Sequence, residues 1–127
     1  MRALVVDDTM CLRHILHHML RDFGFDEVEE AADGIHALKL IKAHPFDLIV
    51  TDINMPKLDG LGLLKQVRSN PFTLDLPVLM VTSEADKEHL TLAIRADVSG
   101  FLAKPFTQNA LEKQLQRIGF KKPQKVS

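Results

Sequence analysis

The chain contains the stretch Leu48-Ile49-Val50-Thr51-Asp52, an apolar run that closes on a carboxylate. The segment after it, Ile53–Gly60, cannot continue the strand and carries the turn dipeptide Asp59-Gly60. A run that is apolar at successive positions is typical of a strand buried on both faces of a parallel sheet. The stretch is therefore predicted to be such a strand, and Asp52 lies at its carboxyl end.

Three further apolar runs end in the same way, on side chains that carry a charge or a hydroxyl. These runs and the residues after them are Ala3–Val6 with Asp7 and Asp8, Pro77–Val81 with Thr82, and Gly100–Ala103 with Lys104. In a parallel α/β sheet all strands end at one edge, and ligands bind there. The four polar residues and Asp52 are therefore predicted to lie together.

Segments with helical periodicity separate these runs. The segment after Asp8 ends at the stop signal Gly24, and its apolar residues are Leu12, Ile15, Leu16, Met19, Leu20 and Phe23. A weak strand is predicted at about 28–31. The next helix begins at the N-cap Asp33 and ends before Pro45, and it is predicted to turn inward Ile35, Leu38 and Ile41.

Three more helices complete the pattern. They are predicted at Leu61–Arg68, at about Lys87–Ala96, and after the N-cap Thr107, with Leu111, Leu115 and Ile118 inward. Five β-α units predict a doubly wound α/β fold, in which helices cover both faces of a five-stranded parallel sheet. If the strand order is 2-1-3-4-5, the crossover direction reverses between the first and third strands, and a ligand crevice forms there.

Composition limits the class of protein. The 127 residues suit one domain, predicted at 1–120, followed by a short basic tail at 121–127 that is expected to fray. The formal net charge of −1 provides no general attraction for nucleic acid or anionic lipid. The apolar runs are far shorter than the roughly 20 residues of a membrane span. Because Met1-Arg2 leads straight into a strand-like run, we expect no signal peptide. The single Cys11 excludes an intramolecular disulfide. We expect a cytoplasmic monomer.

The residues at the sheet edge favour phosphoryl chemistry. Three close carboxylates repel one another unless a cation neutralises them, and Lys104 and Mg²⁺ are the two candidates. Such a pocket suits a phosphoryl group, whose oxygens the cations neutralise while Thr82 donates a hydrogen bond. No Gly-rich phosphate loop follows any strand, and a carboxylate can itself attack phosphorus to form an aspartyl phosphate. Asp52 is the preferred nucleophile because its neighbours Asp7 and Asp8 are better placed to hold metal.

These residues resemble a response-regulator receiver domain in its single-domain, CheY-like form, which has the flavodoxin-like order 2-1-3-4-5. The resemblance extends from about Ala3 to Ile118. It is carried by Asp7-Asp8, Thr51-Asp52 with Met55-Pro56 and Asp59-Gly60, Val81-Thr82-Ser83, and Lys104-Pro105-Phe106. It implies that Asp52 accepts a phosphoryl group from the phosphohistidine of a sensor histidine kinase or phosphotransfer protein.

The resemblance also implies roles for the residues around Asp52. Asp8, Asp52 and the backbone carbonyl of Asn54 would ligate Mg²⁺, and Asp7 would act mainly through bound water. Thr82 and Lys104 would hold the phosphoryl oxygens. Phe101 lies where the family has a switch aromatic that turns inward as Thr82 moves. Asn54 and Glu84 occupy positions that modulate hydrolysis of the acyl phosphate.

The implied function is that of a stand-alone response regulator in a two-component system. Phosphorylation would change the surface of helix 4, strand 5 and helix 5 and so alter partner binding. The partner would be a flagellar motor component, a relay protein or the kinase itself, and chemotaxis-type signalling is favoured. The chain would catalyse only its own phosphorylation and dephosphorylation. The alternatives are a phosphorelay shuttle, a small phosphatase with Asp7 as nucleophile, and an interaction module that is never phosphorylated.

Several residues allow two interpretations. Phe101 is either a switch residue or part of the apolar core. Leu92 is either an exposed contact for a partner or is packed against the last helix. Asp59 is interpreted as a turn residue rather than a metal ligand. The first helix carries a polar stripe of four residues, His14, His17, His18 and Arg21. This stripe is a solvated surface, a docking surface for a partner, or a metal site formed by two of its histidines. Two residues depart from the family pattern: Asp97 must tolerate a left-handed conformation, and Gly62 weakens the third helix.

Overall fold

Five strands alternate with five α-helices in the computed structural model, which describes residues 1–123 except the side chain of Glu84. The strands are β1 Arg2–Val6, β2 Glu27–Ala31, β3 Leu48–Asp52, β4 Val78–Thr82 and β5 Gly100–Ala103. The helices are α1 Met10–Phe23, α2 Gly34–Ala43, α3 Gly60–Ser69, α4 Lys87–Arg95 and α5 Gln108–Ile118. A short 3-10 turn at Glu84–Asp86 precedes α4. Residues 124–127 of the predicted tail lie outside the described residues.

All strand pairs are parallel, and the order is β2-β1-β3-β4-β5. The predicted fold and strand order are therefore confirmed. The register places Asp52 opposite Val81 and Thr82 opposite Ala103, so neighbouring strands end almost level. This alignment brings the residues at the strand ends to one edge of the sheet.

The sheet divides the apolar interior into two clusters. In β1, Ala3 and Val5 face the cluster that also contains residues of α1 and α5, whereas Leu4 and Val6 face the cluster beneath α2, α3 and α4. Every residue of β3 is buried. Helices on both faces explain why this strand is apolar at successive positions instead of alternating.

The predicted helix boundaries are confirmed by their caps. The Asp33 carboxylate accepts a hydrogen bond from the backbone N–H of His36, and the Thr107 hydroxyl accepts one from Ala110. Gly24 ends α1 with a φ of 130°. Asp97 has a φ of 67°, the left-handed conformation that the sequence requires of it. Asp59 has a role beyond a turn, because its carboxylate caps α3 by accepting from Gly62.

Two residues of the helical apolar patterns are exposed: Ile35, which was predicted to turn inward, and Ile15 of the first helix. Ile35 is 44% exposed and Ile15 is 45% exposed. On α2 the buried residues are Gly34 and Ala37, and the backbone N–H of Gly34 donates to the carbonyl of Leu58 at 3.1 Å, so the helix begins close to the loop before α3. The periodicity rule predicts that the large apolar residues of a helix are buried. A helix that lies close to its neighbours buries its small residues instead.

Helix α4 exposes apolar side chains. Its buried residue is Ala93, whereas Leu92 and Ile94 are exposed. For Leu92 this supports the exposed interpretation over packing against the last helix. No helix in residues 1–123 is both long enough and apolar enough to cross a membrane.

Candidate active site

Three carboxylates meet where β1 and β3 end. Asp7, Asp8 and Asp52 each place one oxygen within 4.8 Å of the others. Asp7 and Asp8 follow β1, and Asp52 is the last residue of the adjacent strand β3. Among the described residues this is the only group of three or more side chains suited to a metal ion. The structure thus brings together the acidic residues that the sequence predicted to share a crevice.

Lys104 joins the cluster from the end of β5. Its Nζ lies 3.3 Å from Oδ1 of Asp52, and its backbone N–H donates to the carbonyl of Thr82 at 2.7 Å. The same Oδ1 accepts a hydrogen bond of 2.9 Å from the backbone N–H of Ile53. Both contacts hold one oxygen of Asp52 in place. Thr82 is buried at the end of β4, the strand between β3 and β5.

Burial perturbs two of the carboxyl groups. Asp7 is 1% exposed and Asp52 is 6% exposed, and the loss of solvent raises the pKa of both above the usual range for aspartate. For Asp52 the ammonium of Lys104 opposes this rise, and for Asp7 the N–H of Thr9 does so. Repulsion from the carboxylates of Asp52 and Asp8 also raises the pKa of Asp7. The crevice is therefore short of positive charge.

A buried oxygen tests whether a cation fits this crevice. Oδ1 of Asp7 accepts from the N–H of Thr9 at 2.8 Å, but Oδ2 has no hydrogen-bond partner among the described residues. A buried polar atom is normally paired with protein, water or an ion. Three clustered carboxylate oxygens suit a hard divalent cation such as Mg²⁺ and are poor ligands for softer metals. The donor set therefore fits Mg²⁺, bound directly or through water.

Asp7→Asn is expected to stabilise the protein at neutral pH by about 1 kcal/mol, roughly 3–5 °C in Tm. The pKa of Asp7 is raised in the folded state. Asp7 therefore makes its full contribution to stability at pH values below the ordinary aspartate pKa. This contribution is lost as the pH rises through the pKa of the folded state. An amide removes this loss, keeps the acceptor for Thr9 and can donate to the neighbouring carboxylates. Thermal unfolding without Mg²⁺ measures the difference in Tm between the variant and the parent at pH 7 and at a pH below about 3.5, where this gain should disappear. A variant no more stable than the parent at pH 7 would contradict the prediction.

Asp86 is a residue of this region that the sequence analysis missed. It is 5% exposed, and its carboxylate accepts hydrogen bonds from Ser83 and from the side chain of Asn54. Burial raises the pKa of Asp86, but these hydrogen bonds outweigh it, and the pKa lies below the usual range. The pattern Ser-x-x-Asp at residues 83–86 is a capping-box signature that could have identified the residue. No pattern in the neighbouring sequence predicts the contact between Asp86 and Asn54.

Among the predicted modulating and switch residues, Asn54 and Phe101 are both exposed. Asn54 is exposed and lies two residues after Asp52. Phe101 is 38% exposed on β5, which contradicts its interpretation as simple core. The predicted role of Glu84 falls on a side chain outside the described part of the chain.

The polar stripe on α1 contacts a glutamate of β2. Nδ1 of His17 lies 3.0 Å from Oε2 of Glu30, and that of His14 lies 3.9 Å from the same oxygen. Arg13 also pairs with Glu30, at 3.2 Å. Within residues 1–123, His14 and His18 belong to no group of three metal-ligating side chains. The stripe is therefore a partly paired polar surface. Cys11, on the same helix, is exposed.

Comparisons with known proteins agree with this geometry. Residues 3–116 match the family described as the response regulator receiver domain. The chain is 44% identical over 118 residues to the chemotaxis protein CheY-3 of Vibrio cholerae, covering 93% of this chain and 91% of the relative. It is 42% identical to the chemotaxis protein CheY of Pseudomonas aeruginosa, covering 93% and 95%.

Solved structures show the same likeness. The chemotaxis response regulator CheY4 of Vibrio cholerae superposes with a TM-score of 0.84 at 38% identity, covering 92% of this chain and 97% of that one. The receiver domain of NtrX from Brucella abortus gives 0.83 at 31% identity, covering 91% and 96%. The chain belongs to the response-regulator receiver family and is a CheY-like receiver domain.

Proposed function

We propose that this protein is a phosphorylation-dependent response regulator and that Asp52 is its phosphoacceptor. The observation that carries the proposal is the position of Asp52, which ends β3 beside two further carboxylates with Lys104 at 3.3 Å. A carboxylate held between cationic and anionic groups at a ligand crevice is suited to nucleophilic phosphoryl transfer.

The two oxygens of Asp52 have different roles in this proposal. Oδ1 is held by Lys104 and by the N–H of Ile53, whereas no hydrogen bond from the described residues reaches Oδ2. Oδ2 attacks phosphorus, the P–N bond to the donor histidine breaks, and the imidazole nitrogen recovers a proton from solvent. The Lys104 ammonium and the Thr82 hydroxyl then hold the phosphoryl oxygens.

The residues that would hold Mg²⁺ are Asp7, Asp8, Asp52 and the backbone carbonyl of Asn54. The ion supplies charge neutralisation for the phosphoryl oxygens when it is bound. Lys104 alone leaves the three carboxylates with an excess of negative charge, which is why we propose that phosphorylation depends on Mg²⁺. The buried, unpaired oxygen of Asp7 supports this dependence.

We propose that the output is a protein contact at α4, β5 and α5. Leu92 and Ile94 of α4 and Phe101 of β5 are exposed apolar side chains, and surfaces of this kind are typical of partner-binding sites. Thr82, at the end of β4, and Phe101 would move together on phosphorylation. The relatives named as chemotaxis proteins favour a flagellar motor partner and a histidine kinase donor, in the cytoplasm and with the regulator as a monomer.

Incubation with acetyl phosphate tests the acceptor chemistry directly. We expect intact-mass spectrometry to record one added phosphoryl group in the presence of Mg²⁺ and none in the presence of EDTA. An adduct of equal yield in EDTA would contradict the metal dependence. Turnover of p-nitrophenyl phosphate would instead favour the small phosphatase with Asp7 as nucleophile. Onward transfer to a histidine phosphotransfer protein would favour the phosphorelay shuttle.

A further inference from the structure

Asp86 connects the two loops that flank the proposed phosphoacceptor. Its Oδ2 accepts from the backbone N–H of Ser83 at 2.9 Å and from the Ser83 hydroxyl at 2.8 Å. Its Oδ1 accepts from the side-chain amide of Asn54, which lies 32 residues earlier in the chain. Ser83 follows Thr82 directly, and Asn54 lies two residues after Asp52. One buried carboxylate therefore joins the loop after β3 to the loop after β4.

Helix capping accounts for two of these three hydrogen bonds, and the bond from Asn54 is the third. The Ser83–Asp86 pair is a reciprocal capping box that begins the 3-10 turn before α4, and it needs no residue from another loop. The Asn54 amide contributes nothing to that cap. It does reduce the cost of burying a carboxylate that is 5% exposed, because such a charge requires hydrogen bonds on both oxygens. The pairing therefore fixes the Asn54 side chain as well as the turn.

The fixed amide belongs to the loop that leads away from the proposed acceptor. Asn54 is exposed and lies two residues after Asp52, which is buried, so its amide is a polar group near the acceptor in the chain that solvent can reach. Pairing with Asp86 uses one amide N–H of Asn54 and restricts its rotation. A released Asn54 would have both N–H donors and its carbonyl oxygen available to orient water.

We propose that Asp86 is a positioning residue that prolongs the phosphorylated state by holding Asn54 away from the hydrolytic water. This inference rests on the proposed function of Asp52. In the step concerned, the water oxygen bonds to phosphorus while the bond from phosphorus to the Asp52 oxygen breaks. The Asp52 carboxylate is regenerated, and the protons of the water leave with inorganic phosphate and solvent.

The test is the half-life of the phosphorylated protein after removal of acetyl phosphate, followed by intact mass. Asp86→Ala releases the Asn54 side chain, and at the coupling energy typical of residues in contact this is expected to shorten the half-life roughly 3- to 10-fold. The matched control is Asp75→Ala, which removes an exposed carboxylate from the loop before β4 and should leave the half-life unchanged. Where Asp86→Ala unfolds at the assay temperature, Asp86→Asn replaces it, since the amide keeps the shape and one acceptor.

A double-mutant cycle separates positioning from mere stability. If Asp86 acts through Asn54, its substitution has no further effect on the half-life in an Asn54→Ala background. Additive effects in the double variant, or an unchanged half-life in Asp86→Ala, would overturn the inference while leaving the acceptor role of Asp52 intact. Failure of the unaltered protein to form any adduct would overturn both.

Discussion

Asp52→Asn is expected to abolish phosphoryl labelling while leaving the fold intact. The amide has nearly the shape of the carboxylate, and its oxygen can still accept from the backbone N–H of Ile53. It lacks the negative charge that makes a carboxylate oxygen nucleophilic toward phosphorus. It also removes one charge from a cluster of three carboxylates, so the stability of the variant should equal or exceed that of the parent.

Labelling with acetyl phosphate and Mg²⁺, read by intact mass, measures this effect. Circular dichroism verifies the fold, because the chain has no Trp and no Tyr for fluorescence. Asp75→Asn is a matched control, since it makes the same chemical change on an exposed residue far along the chain from the cluster. An Asp52→Asn variant that labels at the full rate would refute the assignment and make Asp7 the next residue to test.

Gly60→Ala is expected to cause the largest loss of stability, about 3 kcal/mol or roughly 10 °C in Tm. A Cβ at this position would overlap the carbonyl oxygen of Asp52 and would lie 2.9 Å from both Cα of Ile53 and Sδ of Met80. Two of these atoms belong to backbone, so β3 or the start of α3 must move. That movement displaces Asp52 itself, and labelling should fall together with stability.

Gly62→Ala provides the comparison within the same helix. Its Cβ would meet Cδ1 of Leu58 at 2.5 Å, but this atom is the far end of a flexible side chain that can rotate away. The gain in helix propensity, up to about 1 kcal/mol, opposes the remaining crowding. Urea unfolding followed by circular dichroism should find Gly62→Ala close to the parent and Gly60→Ala far below it. Equal losses in the two variants would contradict the close approach at Gly60.

The architecture and the composition of the site were predictable because their signals are local. A strand buried on both faces is apolar at successive positions, as 48–50 is, and two of the helices begin after residues whose side chains cap them, Asp33 and Thr107. Parallel strands that end on polar residues place those residues at one edge. The family resemblance, confirmed over residues 3–116, supplied roles that local physical reasoning left open, including those of Asn54 and Phe101.

The sequence by itself therefore determined the order of the elements, their boundaries and the identity of the residues at the sheet edge. Only the tertiary structure decided which groups are desolvated and which are paired. It buries Asp7 and leaves Asp8 exposed, and it joins Asp86 to Asn54. It also places Ile35 in solvent and Ala37 in the core. Burial and pairing depend on the distance between elements remote in sequence, and no local periodicity or cap encodes that distance.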